Sequence, residues 1–162
     1  MADYPGAVAA IRARLAEQWV DGGGAARSLI VEAGKRPEPP FPPIDPATGN
    51  EAPFLAIEIA GSRSDTLTYG TPGNRFFVYD GLILLHALTP MNEGSARAQQ
   101  LACDAGEIFR AATFYQQPSG GYIRTIAPNP PGPGSSSPLE GVEAGPFYRV
   151  TVSVPFQYFH RA

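Results

Sequence analysis

The chain has 162 residues, 43% of them hydrophobic and 17% charged, with a formal net charge of −3. That length and composition describe one domain, residues 1–162, with a single core, and the 18 Gly and 18 Pro cluster into long loops. With no run of Lys or Arg, the charge balance excludes an electrostatic grip on nucleic acid or on an anionic membrane as the organising feature.

Cys103 is the only cysteine, so no disulfide closes within the chain. The opening Met-Ala-Asp-Tyr-Pro has neither a basic segment nor an apolar stretch of the kind that directs secretion, and the apolar run at 81–88 is far short of a membrane span. The expectation is synthesis and residence in a cytoplasm.

Residues 5–20 read as an amphipathic helix, with Val8, Ile11, Leu15 and Trp19 on one stripe. Asp3 is the expected N-cap, Pro5 lies in the first turn, and Gly22-Gly23-Gly24 ends the element. Residues 34–53 carry seven prolines and cannot enter a central strand. The expected form is a stiff loop over the domain surface; a docking segment for an aromatic groove and an arm reaching a neighbour are the alternatives.

Strands follow at 54–59 and 65–69, then a long one at 75–88 with a kink or bulge at Gly81. Asp80-Gly81 as a hairpin turn is the competing reading, disfavoured because Leu82-Ile83-Leu84-Leu85 continues without turn residues. A second helix spans 93–112, its stripe formed by Ala98, Leu101, Ala102, Ala105, Ile108, Phe109 and Ala112. Gly94 and Gly106 each weaken it by roughly 1 kcal/mol relative to alanine, so packing must hold it. A short strand at 122–126 precedes a second Pro/Gly/Ser-rich loop at 127–146, too long for an ordinary connection.

The segment 147–158 alternates with period two. Tyr148, Val150, Val152, Val154, Phe156 and Tyr158 lie on one face, and Arg149, Thr151, Ser153 and Gln157 lie on the other. The first face is expected to pack on the core, the second to meet water or a neighbouring subunit. The fold class is therefore α+β: a mostly antiparallel sheet packed with two helices and long Pro/Gly-rich loops.

Motifs that carry chemistry do not appear. No phosphate-binding glycine loop, HExxH or GxSxG occurs, and two isolated histidines with one cysteine do not spell a zinc site. His86 is expected half-buried and hydrogen-bonded, His160 in a frayed tail, and Cys103 in or near the core. Glu58, Asp65, Asp104 and Glu107 show no pairing that suggests acid–base work. The expectation is a protein that is not an enzyme and takes no cofactor or metal.

Three passages carry a resemblance. They are the opening Ala10-Ile11-Arg12-Ala13-Arg14-Leu15 with the strand Phe54-Leu55-Ala56-Ile57-Glu58-Ile59, the run Leu82–Leu88 through Thr89-Pro90 into an Ala-rich helix, and the closing Tyr148–Gln157. In this order of elements the chain resembles the tail terminator proteins of long-tailed bacteriophages and related gene-transfer particles. It departs from them in its long 127–146 loop and its extended 34–53 loop. The resemblance implies a homohexameric ring at the head-proximal end of the virion tail, with the tail tube protein and the head–tail connector protein as partners. Another head–tail joining protein, or a small module using its proline-rich segment, is the alternative. Arg63, Asp65, Arg75 and Asp80 are candidate subunit or partner contacts, because they sit on strand ends and turns; Phe41 and Arg149 complete the set. Solvated surface charge is the plainer reading of each charged residue.

Overall fold

The computed structural model describes residues 3–71, 73–133 and 147–161. Helix α1 spans Tyr4–Gln18, opened by the Asp3 carboxylate, which accepts a hydrogen bond from the Gly6 N–H at 3.0 Å. Its buried side chains are Ala7, Ile11, Leu15 and the following Trp19, a uniform spacing of four. Ala7 thus replaces the expected Val8, which is half-buried at the margin of the stripe. Asp21 then closes the glycine turn, its carboxylate accepting from the Gly23 and Ala25 N–H groups.

Strand β1, Ile30–Glu32, was not expected from its short apolar pattern; it runs parallel to β2, Phe54–Thr66. The strands expected at 54–59 and 65–69 are one 13-residue strand. A register shift between Gly61 and Arg63 carries β2 past the break, so the bulge lies at Ser62 and not at Gly81. Strand β3, Phe76–Pro90, runs unbroken through Asp80-Gly81. Gly81 is required there: a Cβ would lie 2.5 Å from the Phe156 ring and 2.6 Å from the Ala60 carbonyl. The aromatic ring covers the glycine and fills the space that a side chain would take.

Helix α2, Ser95–Glu107, is shorter than its apolar stripe suggested. Tight turns take over where Phe109 and Arg110 donate to the Gly106 and Glu107 carbonyls, and Ala111 turns the chain at φ 46°. Strands β4 (Thr113–Phe114), β5 (Tyr122–Thr125), β6 (Gly132–Pro133) and β7 (Phe147–Arg161) complete the fold. Thr125 fastens the end of α2 to β5: its hydroxyl donates to the Phe109 carbonyl and accepts from the Ala112 N–H at 3.0 Å.

The strand order is β1-β2-β3-β7-β5-β4, with β6 also paired to β7. All pairings are antiparallel except β1 with β2. The alternation read from the terminal segment holds: Val150, Val152, Val154, Phe156 and Tyr158 are buried under the two helices with Ile57, Ile83, Leu85 and Ala87. Each such large side chain contributes roughly 1.5–3 kcal/mol on burial. At Gly106 the helix lies close on the sheet, where a Cβ would come within 2.9 Å of Val152 Cγ1.

Three local expectations are corrected. Cys103 is exposed, because Ala98, Ala102 and Ala105 take the sheet-facing side of α2. His160 is buried within β7, stacked on Phe77 and edge-on to Tyr79, because β3 pairs with β7 out to Arg161. The loop expected from 127 begins attached to the sheet: Asn129 donates to the Ser153 carbonyl at 2.9 Å, and Gly132 and Pro133 pair with Thr151 and Val150. The rest of that loop, 134–146, lies outside the described residues.

The proline-rich segment packs on its own domain, which is the surface-loop reading. Phe41 meets Phe54 edge to face at 5.3 Å between centroids, and Phe54 meets Phe147 likewise. With Val31, Ala56 and Leu88 these form a second, smaller core on the side of the sheet away from the helices.

Candidate interaction surface

The period-two geometry of β2, β3 and β7 assigns every strand residue to one of two faces. The face opposite the helices carries Glu58, Ala60, Arg63 and Asp65 of β2, and Val78, Asp80, Leu82, Leu84, His86 and Leu88 of β3. From β7 it carries Arg149, Thr151, Ser153, Pro155, Gln157 and Phe159. At one end the second core covers it. Of the remainder Val78 and His86 are buried and the other residues are half-buried or exposed, Leu82 being 37% exposed.

Three candidate contacts meet on this open part. Arg63 lies 3.1 Å from Asp65 and 3.6 Å from Asp80, and Gln157 donates to the Asp80 carboxylate at 3.0 Å. The register then places Gln157 opposite Arg124 and Arg124 opposite Thr113. Arg63, Asp80, Gln157, Arg124 and Thr113 therefore form one row across five strands. Cross-strand pairs of this kind fix register more than they add stability, and exposed ion pairs contribute at most about 1 kcal/mol.

The other candidates lie elsewhere. Arg149 sits on the same face, opposite Leu88, toward the covered end. Phe41 is half-buried as part of that cover. Arg75 is in the turn between β2 and β3, where it donates to the Gly70 carbonyl at 2.8 Å, away from the row.

Between the row and the second core lies a network that sequence reading did not assemble. His86 Nδ1 is 2.7 Å from the Thr151 hydroxyl, and Nε2 is 3.3 Å from the Glu58 carboxylate. Burial pushes the His86 pKa below the ordinary histidine range; the bond to Glu58 opposes this, and the Arg149 charge adds to it. The neutral ring accepts from Thr151 and donates to Glu58. A hydroxyl, an imidazole and a carboxylate in this order also occur in hydrolases, where N–H donors converge on an oxyanion. Here Thr151 lies in the sheet interior, paired with His86 on one side and Gly132 on the other, so its neighbouring N–H groups belong to the ladder. The network ties β2, β3 and β7 together.

Two shallow hollows flank the row. One of about 530 Å³ runs along β2 beside Tyr4, Gly61, Arg63, Tyr79 and Asp80. The other, about 370 Å³, lies beside β4 and is lined by Thr113, Gln116, Gln117, Gly120 and Tyr122. Among the described residues no three His, Cys, Asp or Glu side chains are grouped to hold a metal ion, and no helix is long and apolar enough to cross a membrane.

Arg124 was not singled out in the sequence, whereas Glu58, His86, Thr151 and Gln157 were named there but not as parts of one surface; His86 is hydrogen-bonded as expected. Strand parity puts Gln157 on the outer face of β7, but its place beside Asp80 comes from the pairing of β3 with β7 in the tertiary fold. Compared with known proteins, the chain matches no family model, no curated protein and no solved structure.

Proposed function

We propose that the protein is a tail terminator: copies form a ring on the last layer of a tail tube, end its growth and present a surface to the head–tail connector. The observation that carries this reading is the order of elements. A capped helix, two long antiparallel strands, an Ala-rich helix and a long closing strand follow one another as in the terminator pattern, and both helices lie on one face of the sheet. The opposite face is left partly open and is laced with paired charges suited to register and partner choice. Function on this reading comes from matching surfaces, without bond making or breaking.

The test is to add the purified chain to polymerising tail tube protein from the same genome and measure tube lengths by electron microscopy. Shortened tubes bearing a distinct terminal ring are expected. Unchanged tube lengths would overturn the reading and move the protein to a joining role nearer the head.

A further inference from the structure

Resting on the ring reading, we infer that one copy joins the next edge to edge, with the uncovered edge of β2 meeting the β4–β5 edge of its neighbour. A closed ring of identical copies needs two different, mutually complementary patches on each copy. These two edges meet that requirement in three respects.

They are the opposite margins of the same rows. β1 pairs only with Leu55, Ala56 and Ile57, so from Ile59 to Thr66 β2 has a strand partner on the β3 side alone among the described residues. At the far margin β4 pairs only with β5. Arg63 and Thr113 are the two ends of a single cross-strand row, so contact between these margins extends each row into the next copy. Both margins also carry a hollow, one beside Tyr4 and Gly61 and the other beside Gln116 and Gly120.

The charges are opposite. Along the open stretch of β2 the carboxylates Glu58 and Asp65, with Asp80 one strand in, stand around Arg63, and the nearby Arg12 is taken up by Glu32 of β1. At the other margin Arg14, Arg110 and Arg124 outnumber Glu107, which is paired with Arg110, and Asp3, which accepts from the Tyr115 hydroxyl; Arg124 stands on the same face as the β2 carboxylates. Arg14 is anchored there by the Ile108 carbonyl at 3.0 Å and lies over the Phe114 ring. With strands about 4.8 Å apart, β5 of one copy lies about 10 Å from β2 of the next, within joint reach of Arg124 and Asp65. The bulge at Ser62 and the charges beside it blunt this edge against indiscriminate strand pairing, while leaving it open to a partner of matching charge.

The experiment uses the full chain with exposed Cys103 replaced by serine, treated with a short bis-maleimide alone and on growing tubes. Arg63→Cys with Thr113→Cys in one chain, the two ends of the row on one face, is expected to give a ladder of linked copies, and Arg63→Cys alone to give none. Arg124→Glu should weaken association by about tenfold or more, and Asp65→Arg added to it should restore the ladder. Circular dichroism confirms that each variant remains folded. A double-cysteine chain that stays monomeric in both settings, or linked dimers from Arg63→Cys alone, would overturn the inference. Capped tubes without a ladder would refute this interface and spare the ring reading. A ladder without capped tubes would do the reverse.

Discussion

Gly106 and Val152 provide a test of how closely α2 lies on the sheet. Replacing Gly106 by alanine offers up to about 1 kcal/mol of helix propensity. Against that, the new methyl would sit 2.9 Å from Val152 Cγ1 and 3.1 Å from Pro128 Cβ. Neither neighbour yields easily, since Val152 is β-branched and 1% exposed and Pro128 is a ring. Overpacking of this kind costs about 1–3 kcal/mol, so Gly106→Ala should destabilise by roughly 0–2 kcal/mol net despite its better propensity. Val152→Ala alone should cost about 2 kcal/mol, from the buried methyl groups and the space they leave. In the double variant the space lost at one site is returned at the other. Its destabilisation should therefore fall short of the sum by about 0.5–1.5 kcal/mol. Urea unfolding followed by circular dichroism, with all four chains compared at constant slope, measures the coupling. Additivity within about 0.3 kcal/mol would refute the close contact.

Further expectations concern other joints of the fold. Thr125→Val keeps the shape but strands the Ala112 N–H and the Phe109 carbonyl, so it should cost about 1–3 kcal/mol in chemical denaturation, with Thr125→Ser close to the parent. Among the described residues neither ring nitrogen of the buried His160 has a hydrogen-bond partner, so His160→Phe should raise the melting temperature. Burial holds both His86 and His160 below the ordinary histidine pKa; the unfolded chain therefore takes up protons first as pH falls. Their contribution is fully present above about pH 6.5 and declines as pH drops toward the folded values, so melting temperature should fall between about pH 7 and 5. His160→Phe should flatten that slope, and an unchanged slope would refute the assignment. Phe41→Ala removes the edge-to-face contact with Phe54 and should speed proteolytic cutting within residues 35–53 while the sheet persists.

Elements with a strong local pattern were legible in the sequence. The six-fold alternation from Tyr148 to Tyr158 marks β7 and its buried side, and Asp3, Pro5 and the glycines mark the ends of α1. What was lost depends on partners distant in the chain. A single strand through Gly61–Arg63 reads as two, because the pairing with β3 overrides a locally broken pattern. The end of α2 is set by Thr125 and not by the apolar stripe, which continues to Ala112. His160 looks like tail because its burial comes from Phe77 and Tyr79 on β3. For the interaction surface, Arg63, Asp65 and Asp80 were expected on strand ends and turns but lie within β2 and β3, and Arg124 and Gln157 join them only through register.

The position of β7 in the sheet sets an order of events at synthesis. It is the strand that joins β3 to β5 and β6, yet it follows all of them in the chain. Until residues 147–161 have left the ribosome, β3 exposes one long margin, β5 and β6 have no central strand to join, and the sheet-facing side of α2 lacks half its floor. Closure by contacts this distant is slow and leaves apolar strands exposed meanwhile. The nascent chain is therefore at its stickiest just before β7 emerges, and a chaperone would act to greatest effect there.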